Sequence, residues 1–327
     1  MKFCASCLFL AGLLGATSLR SPAETPLTPA APSTVKTALE KVLPEYVRMA
    51  EDDKAVRMEV AVTTFTLPDG RTVDLFGVVH LGDASYYKEI NQRLAAYDAV
   101  LFELVGNPEG LQNPDPAAAP PPRPSLLRGM QKTIGDLFKL EFQLEQIDYT
   151  RPNFVHADTT AEEFAKMQAE RGESMIQMLL KSFQLSGDPA MREKMKDAEN
   201  LGLGDLVMLF YSEKSMLRIK LIFARLLADS ESLLEGKLLG ENNAIIDGRN
   251  VVALKKLDEV LKDPAKKRTA IFYGAGHMPG MEKDLRERLK AVHTREAWLP
   301  AWTMPAPAKE KPKAPTGPAA EAQTSNP

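Results

Sequence analysis

The sequence predicts an α/β fold: a mixed sheet built on parallel strand-helix-strand units, carrying a large helical insertion. Three observations predict it. β-branched and polar residues alternate from Arg57 to Leu67 and from Thr72 to Val79 around a turn. A helical repeat and a short apolar run follow at 84–97 and 99–104. After a long helical stretch, strand character returns at Thr269-Ala270-Ile271-Phe272-Tyr273.

Pro68-Asp69-Gly70-Arg71 joins the first two strands as a hairpin, and the second runs straight into His80. Tyr86, Ile90, Leu94 and Tyr97 recur at helical spacing, with Asp83 or Ser85 as N-cap. Ala99-Val100-Leu101-Phe102-Glu103-Leu104 then reads as a buried strand parallel to the one before the helix. Asn153 to Asp158 is a shorter strand, and Thr160-Ala161-Glu162-Glu163 carries a capping-box pattern. Residues 160–262 read almost entirely as helix, with Met and Leu stripes that serve packing. A helix is expected from Pro279 to Val292, with His293 near its end on the surface. Glu296 to Trp302 reads as an edge strand because it contains Pro300.

The ends of the chain have a different character. Lys2 followed by an apolar stretch from Cys4 to Ala16 and by Ser21-Pro22-Ala23 reads as a secretion signal over 1–23. Residues 24–35 and 303–327, rich in Pro and Ala, are expected to be a disordered linker and tail around an α/β domain at 36–302. Within that domain, 107–124 reads as a Pro-rich surface loop. Cys4 and Cys7 both lie in the signal, so cysteine chemistry is excluded from the exported chain. Removing Lys2 and Arg20 takes the net charge from −3 to −5 with both signs interspersed, which gives no reason to expect nucleic acid as a partner. A periplasmic or extracellular protein without a transmembrane segment is expected, and its oligomeric state stays open.

Two Gly-x-x-His elements stand out: Gly77-Val78-Val79-His80 and Gly274-Ala275-Gly276-His277 each follow an apolar strand and precede a helix. With Glu103 and Asp158 they place four polar groups at the C-terminal ends of expected strands, the edge where open α/β sheets form ligand sites. Glu103 interrupts a buried strand, so its carboxylate needs a cation, a hydrogen-bond donor or a proton. Asp158 reads equally as a site residue or as a cap before Thr160. His156 shares its strand face and reads as a second candidate or a core histidine. Arg249 and Asn250 lie beside the buried stripe of a late helix. The arginine is suited either to clamp a carboxylate or oxyanion or to pair with Glu241 or Asp247.

Two imidazoles with one or two carboxylates suit a divalent metal ion with an open position, zinc included, and hence metal-assisted hydrolysis. Without a metal, His80 or His277 could serve as general base, with Glu103 orienting it or acting as acid. No Gly-x-Ser-x-Gly elbow, His-Glu-x-x-His helix or phosphate loop is present. Gly274-Ala275-Gly276 lacks the third glycine of a dinucleotide loop, since Pro279 stands there and Gly280 is one residue late.

These residues resemble the TraB/PrgY/GumN/Tiki superfamily, which is related to erythromycin-esterase-like and ChaN-like proteins. The likeness is carried by Phe76 to His80, Asp98 to Leu104, Asp158, Arg249-Asn250 and Tyr273 to Met281, in that order. It implies a mixed α/β fold and, for the Tiki branch, a metal-dependent peptidase favouring manganese or cobalt. On that basis His80, Glu103 and His277 inherit the catalytic assignment and Arg249 a supporting one. The chain departs from the pattern at Gly248, where many members have an acid, and in its Pro-rich loop. The expected function is therefore an exported metal-dependent hydrolase of peptides or other amide or ester substrates. The alternative is a non-catalytic envelope binding protein that sequesters a peptide, haem or metal.

Overall fold

The structure, a computed structural model, describes residues 45–113, 135–173, 212–233 and 243–306. Strand β1 (Val47–Glu51) is followed by β2 (Ala55–Thr66), β3 (Thr72–Val78), a short β4 (Leu81–Gly82) and helix α1 (Ala84–Leu94). Next come β5 (Ala99–Phe102), the short α2 (Glu109–Gln112), β6 (Glu141–Phe142), the short α3 (Gln143–Gln146), β7 (Phe154–His156) and α4 (Ala161–Glu170). The chain continues through α5 (Glu213–Leu233), a π-turn (Ala244–Gly248), α6 (Arg249–Leu261), β8 (Arg268–Gly274), a 3-10 turn (Ala275–His277), α7 (Met278–Glu287) and β9 (Val292–Pro305).

The first half of β2 buries Val56, Met58 and Val60 and leaves Arg57 and Glu59 half-buried, the alternation of a strand covered on one face. Its second half is buried throughout up to Phe65, the pattern of a strand covered on both faces. Gly70 turns the hairpin with a left-handed φ of 86°, which a Cβ would strain. β3 and β1 pair antiparallel with β2 through Val62↔Phe76 and Val60↔Val47, and β9 pairs with it from Ala55 to Thr66. From β3 the sheet continues through β8, β5 and β7, all parallel.

The sheet is thus mixed, as expected, but β3 and β5 are not neighbours. β8 lies between them, with Phe76 beside Phe272 and Phe102 on the other side of Phe272. Burying Phe76, Phe102 and Phe272 almost completely contributes roughly 1.5–3 kcal/mol each before ordering costs.

Several boundaries differ from the sequence expectation. β1 was not foreseen, because its alternation is blurred by Arg48 and Glu51. α7 stops at Glu287, and Lys290 with φ 54° turns the chain into β9, so His293 lies exposed on a strand and not late in a helix. β9 is the edge strand expected at 296–302, but it runs on both sides of that range, to Pro305. Asp83 stands at the N-cap of α1, but its side chain makes no capping bond: its carboxylate accepts from the Thr303 amide at 2.7 Å and faces Lys220 at 3.5 Å. Thr160 does form its capping box with Glu163. The expected signal, the linker, most of the Pro-rich loop, part of the helical insertion and residues 307–327 of the expected tail lie outside the described residues, while residues 303–305, assigned to that tail, belong to β9 because they pair with β2.

β9 also fixes the loop that follows His80. Ala301 is the extra residue of a bulge opposite Met58 and Glu59, and its carbonyl accepts from the Asp83 amide at 2.8 Å. Trp302 Nε1 donates to the Leu81 carbonyl at 2.6 Å. No helix among the described residues is long and apolar enough to cross a membrane.

Candidate functional site

Because β3, β8, β5 and β7 run parallel, the residues that leave them emerge along one edge. His80 follows β3, His277 follows β8, Glu103 follows β5 and Asp158 follows β7. α6, packed on β5, brings Arg249 and Asn250 to the same edge from above the sheet.

Arg249 is the hub. Its Nε donates to Asp158 Oδ1 at 2.9 Å, and its Nη2 donates to Asp158 Oδ2 at 2.5 Å and to Glu103 Oε1 at 2.6 Å. The side chains of Arg249, Glu103 and Asp158 are 2%, 7% and 0% exposed, so the three charges compensate one another away from water. Asp158 is further held by the Thr159 amide at 2.8 Å. Glu103 Oε2 accepts from the Gly274 amide at 2.6 Å. Two carboxylates with one guanidinium leave one negative charge over.

Burial opposes a charge on Glu103, but the Arg249 guanidinium outweighs it, with help from His277, His80 and the Gly274 amide. The carboxyl is held well below the usual range. Arg249 in turn is raised well above its ordinary value: burial disfavours its charge and the two carboxylates overcome that. Burial pushes His277 down to about 4, against the pull of Glu103, so its ring is neutral near pH 7.

The π-turn aims Arg249. Asn243 Oδ1 caps it by accepting from the Ile246 amide at 2.7 Å, and the Gly248 amide reaches back five residues to the Asn243 carbonyl at 2.9 Å. Asp247, one of the partners expected for Arg249, bonds Asn243 instead. Glu241, the other, lies outside the described residues. A Cβ on Gly248 would stand 3.1 Å from Met167 Sδ and 3.4 Å from Arg171 Nη1, so any side chain at that position has to displace those two side-chain ends.

His277 is 3% exposed and closes the 3-10 turn after β8. Its Nδ1 lies 2.7 Å from Asn250 Oδ1, while its Nε2 faces Arg249 Nη1 at 3.5 Å and Glu103 Oε1 at 3.7 Å. His80 is half-buried. A Cβ added to Gly274 would sit 3.3 Å from Glu103 Oε2, 3.7 Å from His80 Nε2 and 3.8 Å from His277 Cδ2. The missing side chain therefore leaves one point around which both histidines and the glutamate gather.

Gly77 lets the turn after β8 approach, since a Cβ there would meet Ala275, Met278 and Val60 at 3.4 Å each. Gly276 makes no such demand, since a Cβ there would meet only Ile246 Cδ1, at an ordinary 3.9 Å, among the described residues. His156 does not join the others: its Nε2 bonds the Leu104 carbonyl at 2.8 Å and its ring packs on Phe102. Two contributors were missed in the sequence. The phenol of Tyr273 donates to the Ala157 carbonyl while its ring stands edge-on to His277, and Gly280 lies against Asn250. Their places just before and just after the second Gly-x-x-His element were the available signal.

Two neutral-capable imidazoles and an ionised carboxylate around one cradle fit a divalent cation in donor type, and the surplus negative charge favours one. Among the described residues, no group of three or more His, Cys, Asp or Glu is gathered as a ready ion cage. Asp158 has both oxygens turned to Arg249 and is not among the groups nearest a Cβ on Gly274, whereas Glu103 Oε2, His80 Nε2 and the His277 ring are. In comparisons with protein-family models, curated proteins and solved structures, none matches the chain.

Proposed function

We propose that the protein is an exported hydrolase of amide or ester bonds, peptidase-like, that works at the cradle over Gly274 with a divalent ion held by His80, Glu103 and His277. The observation that carries this reading is the convergence of His80 Nε2, Glu103 Oε2 and the His277 ring on one point, at 3.7, 3.3 and 3.8 Å. The motif resemblance to the TraB/PrgY/GumN/Tiki group supports it and favours manganese or cobalt. When bound, the ion supplies Lewis acidity and an ionised water near neutral pH.

The chain's own groups have separate tasks. Glu103 stays ionised because Arg249 and the Gly274 amide stabilise its charge. Among the described residues Arg249 Nη1 makes only long contacts, at 3.5 Å to Ile245 O and to His277 Nε2, and keeps donor capacity for negative charge developing on a carbonyl oxygen. Asp158 holds the guanidinium in place through two parallel bonds.

The test is metal content of the purified protein beside His80→Ala and His277→Ala, with a peptide library as substrate. Near-stoichiometric manganese, cobalt or zinc that is lost in both variants, with cleavage restored by added metal, is the expected result. Absence of both metal and cleavage overturns the reading. Metal without turnover leaves the protein as a binder.

A further inference from the structure

The contacts around His277 contain more than its place in the cradle. Asn250 touches it twice: Oδ1 lies 2.7 Å from the ring Nδ1, and Nδ2 lies 3.1 Å from the backbone carbonyl of His277 itself. A backbone carbonyl only accepts, so the amide nitrogen of Asn250 must face it. The amide oxygen must then face Nδ1. An amide oxygen also only accepts, so Nδ1 carries the proton. On the far side of the ring, Nε2 faces Arg249 Nη1, a group that only donates, at 3.5 Å. Both hydrogen-bonding neighbours demand the same form of the neutral imidazole; Glu103 Oε1, an acceptor, also faces Nε2, but at 3.7 Å it is beyond hydrogen-bond reach and is taken by Arg249 Nη2 at 2.6 Å.

Gly280, one turn into α7, completes the arrangement. A Cβ at that position would stand 2.7 Å from Asn250 Nδ2. That atom is the end of a side chain, but one tied down at both polar atoms, so an alanine would displace the amide from His277.

We infer that Asn250 and Gly280 together set the tautomer of His277, fixing its proton on Nδ1 and leaving Nε2, the nitrogen on the Arg249 and Glu103 side of the ring, with its lone pair free. Asn250 is thus a positioning residue, and Gly280 is the space it occupies. A free neutral imidazole exchanges between two tautomers, and this pairing selects the one able to ligate or to accept a proton at Nε2. Use of that lone pair in chemistry rests on the hydrolase reading; the location of the proton does not.

The tautomer is read directly from long-range proton–nitrogen correlations of the full chain, 15N-labelled at histidine and stripped of metal, near pH 7. Only four histidines are present, and His277→Gln assigns the fourth. The wild type should show His277 protonated at Nδ1. Asn250→Ala and Gly280→Ala should each shift the tautomer ratio toward Nε2–H by roughly five- to tenfold, about one hydrogen bond's worth. Asn250→Asp keeps an acceptor at Nδ1 and should keep the wild-type form, which separates the clamp from general damage and still decides the matter if the alanine variant does not fold. A wild-type ring protonated at Nε2, or an Asn250→Ala spectrum unchanged at His277, overturns the inference. An unchanged Gly280→Ala spectrum overturns the part assigned to Gly280. An Nδ1-protonated His277 in a protein that cleaves nothing would end the hydrolase reading and leave the clamp standing.

Discussion

Arg249 stands between two buried carboxylates, and removing it would leave both without a counter-charge. Arg249→Met should destabilise the protein by on the order of 3–5 kcal/mol in urea unfolding. Arg249→Lys should recover little, because one ammonium cannot reproduce a fork that spans Asp158 and Glu103. A loss below about 1 kcal/mol for the methionine variant would contradict the compensated-charge account. Part of this was legible in the sequence. A lone carboxylate in the apolar run 99–104 has to be compensated, and Glu103 is. Its partner was not legible, because the nearest acids in sequence to Arg249 are local ones, whereas the pairing spans 146 residues to Glu103 and 91 to Asp158. Chain distance says nothing about which groups a sheet edge collects.

The π-turn before α6 is the element on which Arg249 depends. Asn243→Ala removes the cap that accepts from the Ile246 amide and should cost about 1 kcal/mol of thermal stability, within the usual 0.5–2 range for such caps. It should also lower peptide cleavage more than the stability loss explains, since the turn sets where the guanidinium points. Unchanged unfolding and unchanged turnover would mean that the packing of Ala244, Ile245 and Ile246 holds the turn by itself. Nothing in Ala244-Ile245-Ile246-Asp247-Gly248 separates this turn from an ordinary helix start, because its wider spacing shows only in the Gly248 amide reaching back to Asn243, which also caps the turn. Alternation and turn residues did reveal β2, β3, β5, β7 and β8, and helical spacing revealed α1. The insertion of β8 between β3 and β5 was not readable, because it depends on pairs such as Phe76 with Phe272.

For the molecule as a whole, the buried site ties stability to pH. In the metal-free protein His277 titrates near 4, against 6.5 for an ordinary histidine, so below about 6.5 the unfolded chain takes up a proton that the folded chain refuses. Stability is full above that value and is lost as pH falls toward 4, by roughly 3 kcal/mol for a difference of about 2.5 units. Glu103, held below its ordinary 4.5 with Arg249 beside it, adds a loss of the same sign at still lower pH. Urea midpoints at about pH 7 and about pH 5 should therefore fall more steeply for the native protein than for His277→Gln, and parallel profiles would refute this. The pairing of β9 with β2 bears on a different matter, how the chain is made. β2 is complete by Thr66, yet the strand that covers its second edge ends at Pro305. While the ribosome extends the chain across that interval, roughly ten or more seconds at ordinary synthesis rates, β2 offers unpaired amides and carbonyls to any passing strand. Chains cut short before β9 should accumulate as aggregates, and nascent chains should depend on a holding chaperone until their last strand emerges.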